Sequence, residues 1–319
     1  MRKVLVSGAS GVVGYGILKS LRKSFRDLYL IGTTIYEDSV AQKFCDIFEK
    51  APRTSDDVYI DWLLDTILKH EINLIIPGIE DDLYKWTEYK SIIEKSGVKI
   101  LLNNTYLTYL CRDKWLFYEK LNEINSPYRI NSSLSQDFEY LKKEFDLPFL
   151  LKPRCGFASK GIVKIYTICD FQKYQDKIGK TLMAQPIIGN DDEEFTTAIF
   201  GDGKGGFYCY IALQRKLSKE GYTEKAEVVN LDGLEEVLLS LCQHLKPVGP
   251  TNFQFRRQDG CLKLLEINPR ISSSTSIRTI FGYNECEMSV DYYLDNKIPE
   301  QPYIKQGRVV RYIEEMVFI

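Results

Sequence analysis

The chain has 319 residues, 44% of them hydrophobic and 27% charged, enough for two or three lobes of ordinary globular composition. A formal net charge of −2 leaves no electrostatic footprint for a nucleic-acid partner, and no apolar run approaches the ~20 residues needed to span a bilayer. With only His70 and His244, a histidine metal site or histidine acid–base scheme is all but excluded, so chemistry must rest on carboxylates, amides, Lys, Arg and a cofactor.

In chain order, Lys3–Ser7 reads as a short apolar strand with no secretory h-region before it, so a cytoplasmic protein is expected. The loop GASGVVG follows, and Gly14–Ser24 carries helical spacing through Ile17, Leu18 and Leu21. Leu28–Thr33 is a second strand, Ile60–Lys69 a helix, Asn73–Pro77 a third strand, Tyr84–Ser96 a helix and Gly97–Leu102 a further strand. Strands alternating with helices across short loops predict a parallel, doubly wound α/β sheet. After Asn103 and Asn104 the texture changes, placing the main boundary near residue 105. A helical stretch over 105–123 leads into the strand-like segments PFLLKP, GIVKIY, TLMAQPII and EFTTAIF. Helix Leu234–Leu245 then precedes a hairpin, TNFQFRRQDGCLKLLEINPR, so this half predicts an antiparallel α+β region.

The eight cysteines contain no CxxC pair, poor spacing for zinc, and are expected to be reduced and mostly buried. Gly8, Gly11 and Gly14 in GASGVVG admit two readings: a phosphate-cradling dinucleotide site, or a tight strand–helix junction without a dinucleotide. The first would make an NAD(P)-dependent sugar-nucleotide oxidoreductase or epimerase. It also demands a mid-chain Tyr-x-x-x-Lys pair and an acidic residue closing the second strand. The available pairs, Tyr15/Lys19 and Tyr293/Lys297, lie at the chain's two ends, and YLIGTT closes on Thr, so the junction reading is preferred.

The hairpin carries the strongest chemical signal. At period 2, Leu262, Leu264, Glu266 and Asn268 fall on one face, and Asn252, Gln254 and Arg256 share a face of the preceding strand. Gln254 can face Glu266 if Asp259, Gly260 and Cys261 form a three-residue loop, or if a bulge adjusts the register. Oxygen-only ligands of this kind suit Mg²⁺, or else Mn²⁺, and Arg270 follows as a cation for phosphate charge. In PFLLKPRCGFASKGIVKIY, Lys152 ends a strand, and Gly156, Ser159, Lys160 and Gly161 form a phosphate-compatible loop that is not a Walker A sequence.

Taken in order, LKPRCGFASKGI, AQPIIGNDDEEFT, TNFQF and LLEINPRISSSTS resemble the ATP-grasp superfamily, most of all its carbamoyl-phosphate-synthetase-like and carboxylate-amine ligase branch. The resemblance covers residues 105–285. The first 105 residues, with IPGIEDDL, resemble the Rossmann-like domain that precedes the grasp; 106–319 would be the grasp domain, with lobes near 106–187 and 188–319. By resemblance, Lys114 and Lys152 contact nucleotide phosphates, Gly156–Gly161 is a lid, and Gln185, Pro186, Ile187 and Ile188 form the adenine hinge. Glu193 and Glu194 compete for the ribose hydroxyls, EFTTAIF favouring Glu194. Gln254, Glu266 and Asn268 are the implied metal ligands, Arg270 the implied catalytic cation, and Arg215 a second.

The resemblance implies an enzyme that uses Mg-ATP to make an acyl phosphate and passes the acyl group to an amine. Its partners would be a small carboxylate and a small amine, with assembly as a homodimer through the first domain. A complete carbamoyl phosphate synthetase is not expected, since the chain stops soon after one grasp domain. The same motifs would also serve a bicarbonate-using, carboxy-phosphate-forming enzyme or a non-catalytic ATP-binding regulator. The intact set of Gln254, Glu266 and Asn268 counts against the regulator. The substrate is expected between the first domain and the loop Ile271–Ser276; Glu80 and Asp81 are expected as solvated loop charges rather than an ammonium site, and Asp191 and Asp192 as solvent-exposed.

Overall fold

A computed structural model of the chain describes residues 1–156 and 160–318. The first hundred residues give β1 (Arg2–Val6), α1 (Val12–Arg22), β2 (Leu28–Thr34), β3 (Ile47–Lys50), α2 (Tyr59–His70), β4 (Leu74–Ile76), α3 (Glu80–Glu88), α4 (Lys90–Glu94) and β5 (Lys99–Ile100). The strands pair in parallel in the order β3-β2-β1-β4-β5. Because β1 and β4 are buried on both faces, Val4–Val6 and Leu74–Ile76 read as unbroken apolar runs. One face packs on α2, α3 and α4 through Leu63, Ile67, Leu83, Trp86 and Ile93.

Two expected elements are divided. Tyr84–Ser96 belongs to two helices, Glu80–Glu88 and Lys90–Glu94, with Tyr89 as the cap between them. The stretch 105–123 is likewise two helices, α5 (Thr105–Arg112) and α6 (Lys114–Glu123). Asp113 between them is extended, and its carboxylate accepts the Trp115 N–H as the cap of α6. A side chain that competes for backbone donors favours a new helix start over continuation. The edge strand β3 was not anticipated: its four residues, Ile47–Lys50, are only half-buried and too few to show a period.

The chain continues with α7 (Phe138–Phe145), β6 (Phe149–Pro153), β7 (Val163–Ile165), α8 (Ile168–Gln172) and β8 (Leu182–Pro186). The three strands make a small antiparallel sheet, β7-β6-β8, around Phe149, Phe171 and Leu141. The last part holds β9 (Glu194–Asp202), β10 (Phe207–Leu217), β11 (Thr223–Val228), α9 (Leu234–Leu245), β12 (Val248–Gln258), β13 (Cys261–Asn268), α10 (Thr275–Ile280), α11 (Glu285–Asp295) and β14 (Arg308–Val310). These strands form an antiparallel sheet ordered β13-β12-β9-β10-β11-β14.

The two faces of this sheet differ. One is apolar along its length, where Phe195, Ile199, Phe253 and Phe255 bury α5, α6 and α9. The other is apolar only at one end, where Ala198, Phe200, Ile211 and Leu213 meet Ile277, Phe281 and Tyr283. At its other end this face carries Glu194, Arg215, Gln254 and Arg256, all lining a cavity. Helices α10 and α11 also close the second face of the parallel sheet, placing Cys286 and Val290 against Ile17, Leu18 and Leu74. The loop before α10 is thereby tied to the first domain. Among the described residues, no helix is long and apolar enough to cross a membrane.

All eight cysteines are unpaired, but only Cys209, Cys242 and Cys286 are buried, and Cys155, Cys169 and Cys261 are exposed. The expectation of mostly buried thiols is corrected: Cys155 follows β6, Cys169 is in the short helix α8 and Cys261 opens β13 at the hairpin turn, and all three side chains are exposed.

Candidate active site

A cavity of about 710 Å³ opens where the three sheets converge. Its polar end is made by the hairpin of β12 and β13. Asp259 and Gly260 both have positive φ (51° and 76°), and Gln258 pairs with Cys261, so the connection is a two-residue turn rather than the three-residue loop. The register then slips between Gln254 and Phe255: Phe255 faces Leu264, but Gln254 faces Glu266, leaving Leu265 as the extra residue of a bulge. The bulge inverts the alternation. Leu262, Leu264 and Ile267 point into the core under α9, while Glu266 and Asn268 point into the cavity. The expectation that Leu262, Leu264, Glu266 and Asn268 share a face is corrected by that one inserted residue.

Within this set Asn268 Nδ2 donates to Glu266 Oε1 at 3.3 Å, which uses the amide nitrogen and leaves its oxygen for another partner. Gln254 Oε1 accepts from Arg215 Nη2 at 2.5 Å. One carboxylate and one uncommitted amide oxygen are therefore on offer, an all-oxygen set that fits a small hard cation whose remaining ligands come from phosphate and water. Gln254 Oε1, with one lone pair taken by Arg215, has a second with which to join it. Among the described residues no group of three His, Cys, Asp or Glu side chains could hold a metal alone.

Opposite stand two lysines with no ion pair among the described residues. Lys152, buried on β6, donates to Gln185 Oε1 at 2.8 Å, and Gln185 Nε2 in turn donates to Ser132 Oγ at 2.7 Å. Burial lowers its pKa to about 8 against the opposing pull of Glu266. Lys114, first residue of α6, donates from Nζ to the Gly156 carbonyl at 2.7 Å, holding the start of the Gly156–Gly161 segment. Gly156, Lys160, Pro186, Ile187 and Ile188 all line the cavity, and Gly161 has a left-handed φ of 77°. Ser159 lies outside the described residues.

Glu194 is buried between two guanidinium groups. Its Oε1 accepts from Arg215 Nε and Nη2 at 3.0 and 2.8 Å, and its Oε2 accepts from Arg256 Nε and Nη2 at the same distances. Desolvation lowers the Arg215 pKa in spite of Glu194. Glu193 is half-exposed, 3.8 Å from Arg257, and is not part of the cavity wall. Asp191 is solvent-exposed yet reaches Arg256 at 2.8 Å.

Arg270 follows the hairpin, and its Nη2 donates to Glu80 Oε1 at 2.6 Å. Glu80 is thus no solvated loop charge: it opens α3, is largely covered, and holds Arg270 across the boundary between the domains. Asp81 lines the cavity beside it. Beneath the following loop, fully buried Arg278 pairs with Glu285 at 2.7 Å and donates from Nη2 to Ser272 Oγ at 2.9 Å and to Asn252 Oδ1. No sequence pattern marked Arg278, since a lone Arg in a six-residue helix has no period of its own.

The glycine loop meets a fourth glycine, Gly78. A Cβ on Gly14 would lie 2.4 Å from the Gly8 carbonyl oxygen, and one on Gly78 would lie 2.1 Å from that of Ser7 and 2.9 Å from Gly14 Cα. Backbone fills the space beside the loop, which accounts for Gly8 and Gly14 by packing at the β1–α1 junction.

Residues 180–316 match a family model described as ATP-grasp in the biosynthetic pathway with Ter operon, and residues 8–101 match the PylC-like, N-terminal domain. Carbamoyl phosphate synthase large chain from Methanothrix thermoacetophila is 22% identical over 252 residues, covering 71% of this chain and 23% of that one. The Sulfolobus acidocaldarius large chain is 21% identical, covering 91% of this chain and 29% of that protein. The chain thus spans about a quarter of the length of these curated relatives. N5-carboxyaminoimidazole synthetase from Staphylococcus aureus, solved with ADP, aligns at a TM-score of 0.73 and 17% identity over 95% of this chain and 80% of that chain. Biotin carboxylase from Campylobacter jejuni aligns at 0.76 and 16% over 96% and 74%. The fold is therefore the one expected, a Rossmann-like parallel-sheet domain followed by an ATP-grasp domain.

Proposed function

We propose that this chain, an ATP-grasp protein by its fold and family matches, is a Mg-ATP-dependent ligase that joins a small carboxylate to a small amine. One observation carries the reading: Lys114 and Lys152, without carboxylate partners among the described residues, face Glu266, Asn268 and Arg270 across a single cavity between the sheets. Lone cations on one wall and a metal-compatible oxygen pair on the other suit a triphosphate lying between them. Lys114 and Lys152 would neutralise phosphate oxygens, Gln185–Ile188 would border the base, and Glu266 and Asn268 would hold Mg²⁺ or Mn²⁺. The metal supplies charge neutralisation at the phosphates when bound. Arg215 and Arg256 share Glu194 and would hold the wall rigid, while Arg270, paired with Glu80, would be the cation at the substrate side.

In the reaction, a substrate carboxylate oxygen attacks the γ-phosphorus, the P–O bond to ADP breaks, and an acyl phosphate forms. The amine then attacks the acyl carbon, phosphate leaves with the electron pair of the C–O bond, and the nitrogen gives up a proton to yield the amide. Arg270, oriented by Glu80, would neutralise the charge that develops on the oxygens of the transferring phosphoryl group. A closed Gly156–Gly161 segment would keep water from the acyl phosphate.

The test is ADP release over a panel of carboxylates and amines. The reading requires ADP formation that depends on both partners and on Mg²⁺, with an amide of the summed mass; ADP formation needing neither overturns it. A second reading, with bicarbonate as the phosphoryl acceptor, is favoured by the biotin carboxylase likeness. ADP release dependent on bicarbonate alone would select it.

A further inference from the structure

The loop Ile271–Ser276 is gripped by two arginines that differ in whether their charge is balanced. Each has one buried nitrogen with no hydrogen-bond partner, Nε in Arg278 and Nη1 in Arg311. Arg278 holds it from below through Ser272, and its charge is balanced by Glu285. Arg311, just after β14, holds it from the side: Nη2 donates to the Ser273 carbonyl and lies 3.5 Å from Ser276 Oγ. Among the described residues Arg311 has no carboxylate partner, and its Nη1 is buried with no hydrogen-bond partner at all. Its guanidinium stands 5.9 Å over the ring of Tyr222, and both Tyr222 and Ser273 belong to the cavity wall. The other charged side chain facing it is also a cation, Lys19 on α1; Glu314 offsets Lys19 from the tail. Tyr15 and Tyr222 are the titratable neighbours that favour the Arg311 charge.

Gripping a loop does not require an unbalanced charge, as Arg278 demonstrates. A guanidinium that has neither a carboxylate partner nor, at Nη1, any acceptor costs free energy in the ligand-free protein and recovers it when an anion arrives. We propose that Arg311 forms an anion subsite at the substrate end of the cavity, receiving a carboxylate or phosphate group of the substrate other than the carboxyl that is phosphorylated. The substrate would therefore carry a second anionic group, received at the Ser273–Ser276 part of the loop. This rests on reading the cavity as a ligase site.

The test uses the full chain saturated with Mg-ADP, titrated calorimetrically with succinate and, separately, with inorganic phosphate. The wild type binds at least one of the two; Arg311→Gln weakens that binding at least tenfold, and Arg311→Lys weakens it less. Mg-ADP affinity is the same in all three proteins. Preference for succinate assigns a carboxylate, and preference for phosphate a phosphoryl group. No binding of either anion to the wild type, or equal binding by Arg311→Gln with Mg-ADP binding intact, overturns the subsite. Failure of Mg-ADP to bind the wild type would instead remove the ligase reading. Should Arg311→Gln not fold, the Arg311→Lys comparison decides, and unchanged anion affinity there overturns the proposal.

Discussion

Gln254 on β12 stands directly opposite Glu266 on β13, although a plain antiparallel register set by the Asp259–Gly260 turn would place Gln254 opposite Leu265. The extra residue converts an apolar strand end into one wall of the cavity, turning Glu266 and Asn268 outward while Ile267 stays in the core. Strand alternation has a period of two, so one inserted residue exchanges the faces of everything beyond it.

Two variants separate the metal role of Glu266 from its place in the fold. Deleting Leu265 removes the bulge but leaves Glu266 opposite Gln254 on the cavity face and Ile267 in the core, so the protein should fold with only a modest loss of thermal stability. Glu266→Ala should stay folded. Wild type at a hundred times Kd should gain about 2.7 kcal/mol from Mg-ATP. The mutant should lose the metal-dependent part of that gain. Equal stabilisation of both proteins, measured by thermal unfolding with and without Mg²⁺, would remove Glu266 from the metal site.

The two adjacent glutamates make opposite predictions. Glu194→Ala strands two guanidinium groups against a buried wall, and breaking a buried pair from one side costs about 3–5 kcal/mol. Glu193→Ala removes a half-exposed carboxylate and should stay within about 0.5 kcal/mol of wild type. Urea unfolding of both variants checks this; a stable Glu194→Ala would mean that Arg215 and Arg256 find other partners.

Gly14→Ala tests whether GASGVVG is a packing device. The added methyl would meet the Gly8 carbonyl at 2.4 Å, so a destabilisation of about 1–3 kcal/mol is expected. Neither wild type nor variant should be stabilised by NAD⁺ or NADPH. A thermal shift with either dinucleotide in the wild type, lost in Gly14→Ala, would revive the oxidoreductase reading.

What the sequence made legible follows its periodic and local signals. Helix Leu234–Leu245 lies where its spacing placed it, and the parallel half was readable from alternating elements. The polar residues of the hairpin stood out because they interrupt an apolar strand. The face they occupy was not readable, since a bulge leaves no composition of its own. The Glu80–Arg270 pair joins residues 190 positions apart, and neither its distance nor its partner is encoded near either residue. Arg278 and Arg311 were silent for the same reason: their partners come from other elements.

Lys152 gives a pH dependence with two opposite signs. Burial holds its pKa near 8, against 10.5 for an ordinary lysine. Between these values the unfolded chain carries the proton and the native chain does not, so the native state of the ligand-free protein gains stability as pH rises through this window. Nucleotide binding has the reverse sign, because the phosphates need the ammonium: above pH 8 binding must take up a proton, and affinity for Mg-ATP should fall. Calorimetric titrations at pH 7 and pH 9, in two buffers of different ionisation enthalpy, measure that uptake. Lys152→Met should bind Mg-ATP more weakly at pH 7 and show no proton uptake at pH 9. If wild type and variant take up protons alike, Lys152 does not meet the phosphates.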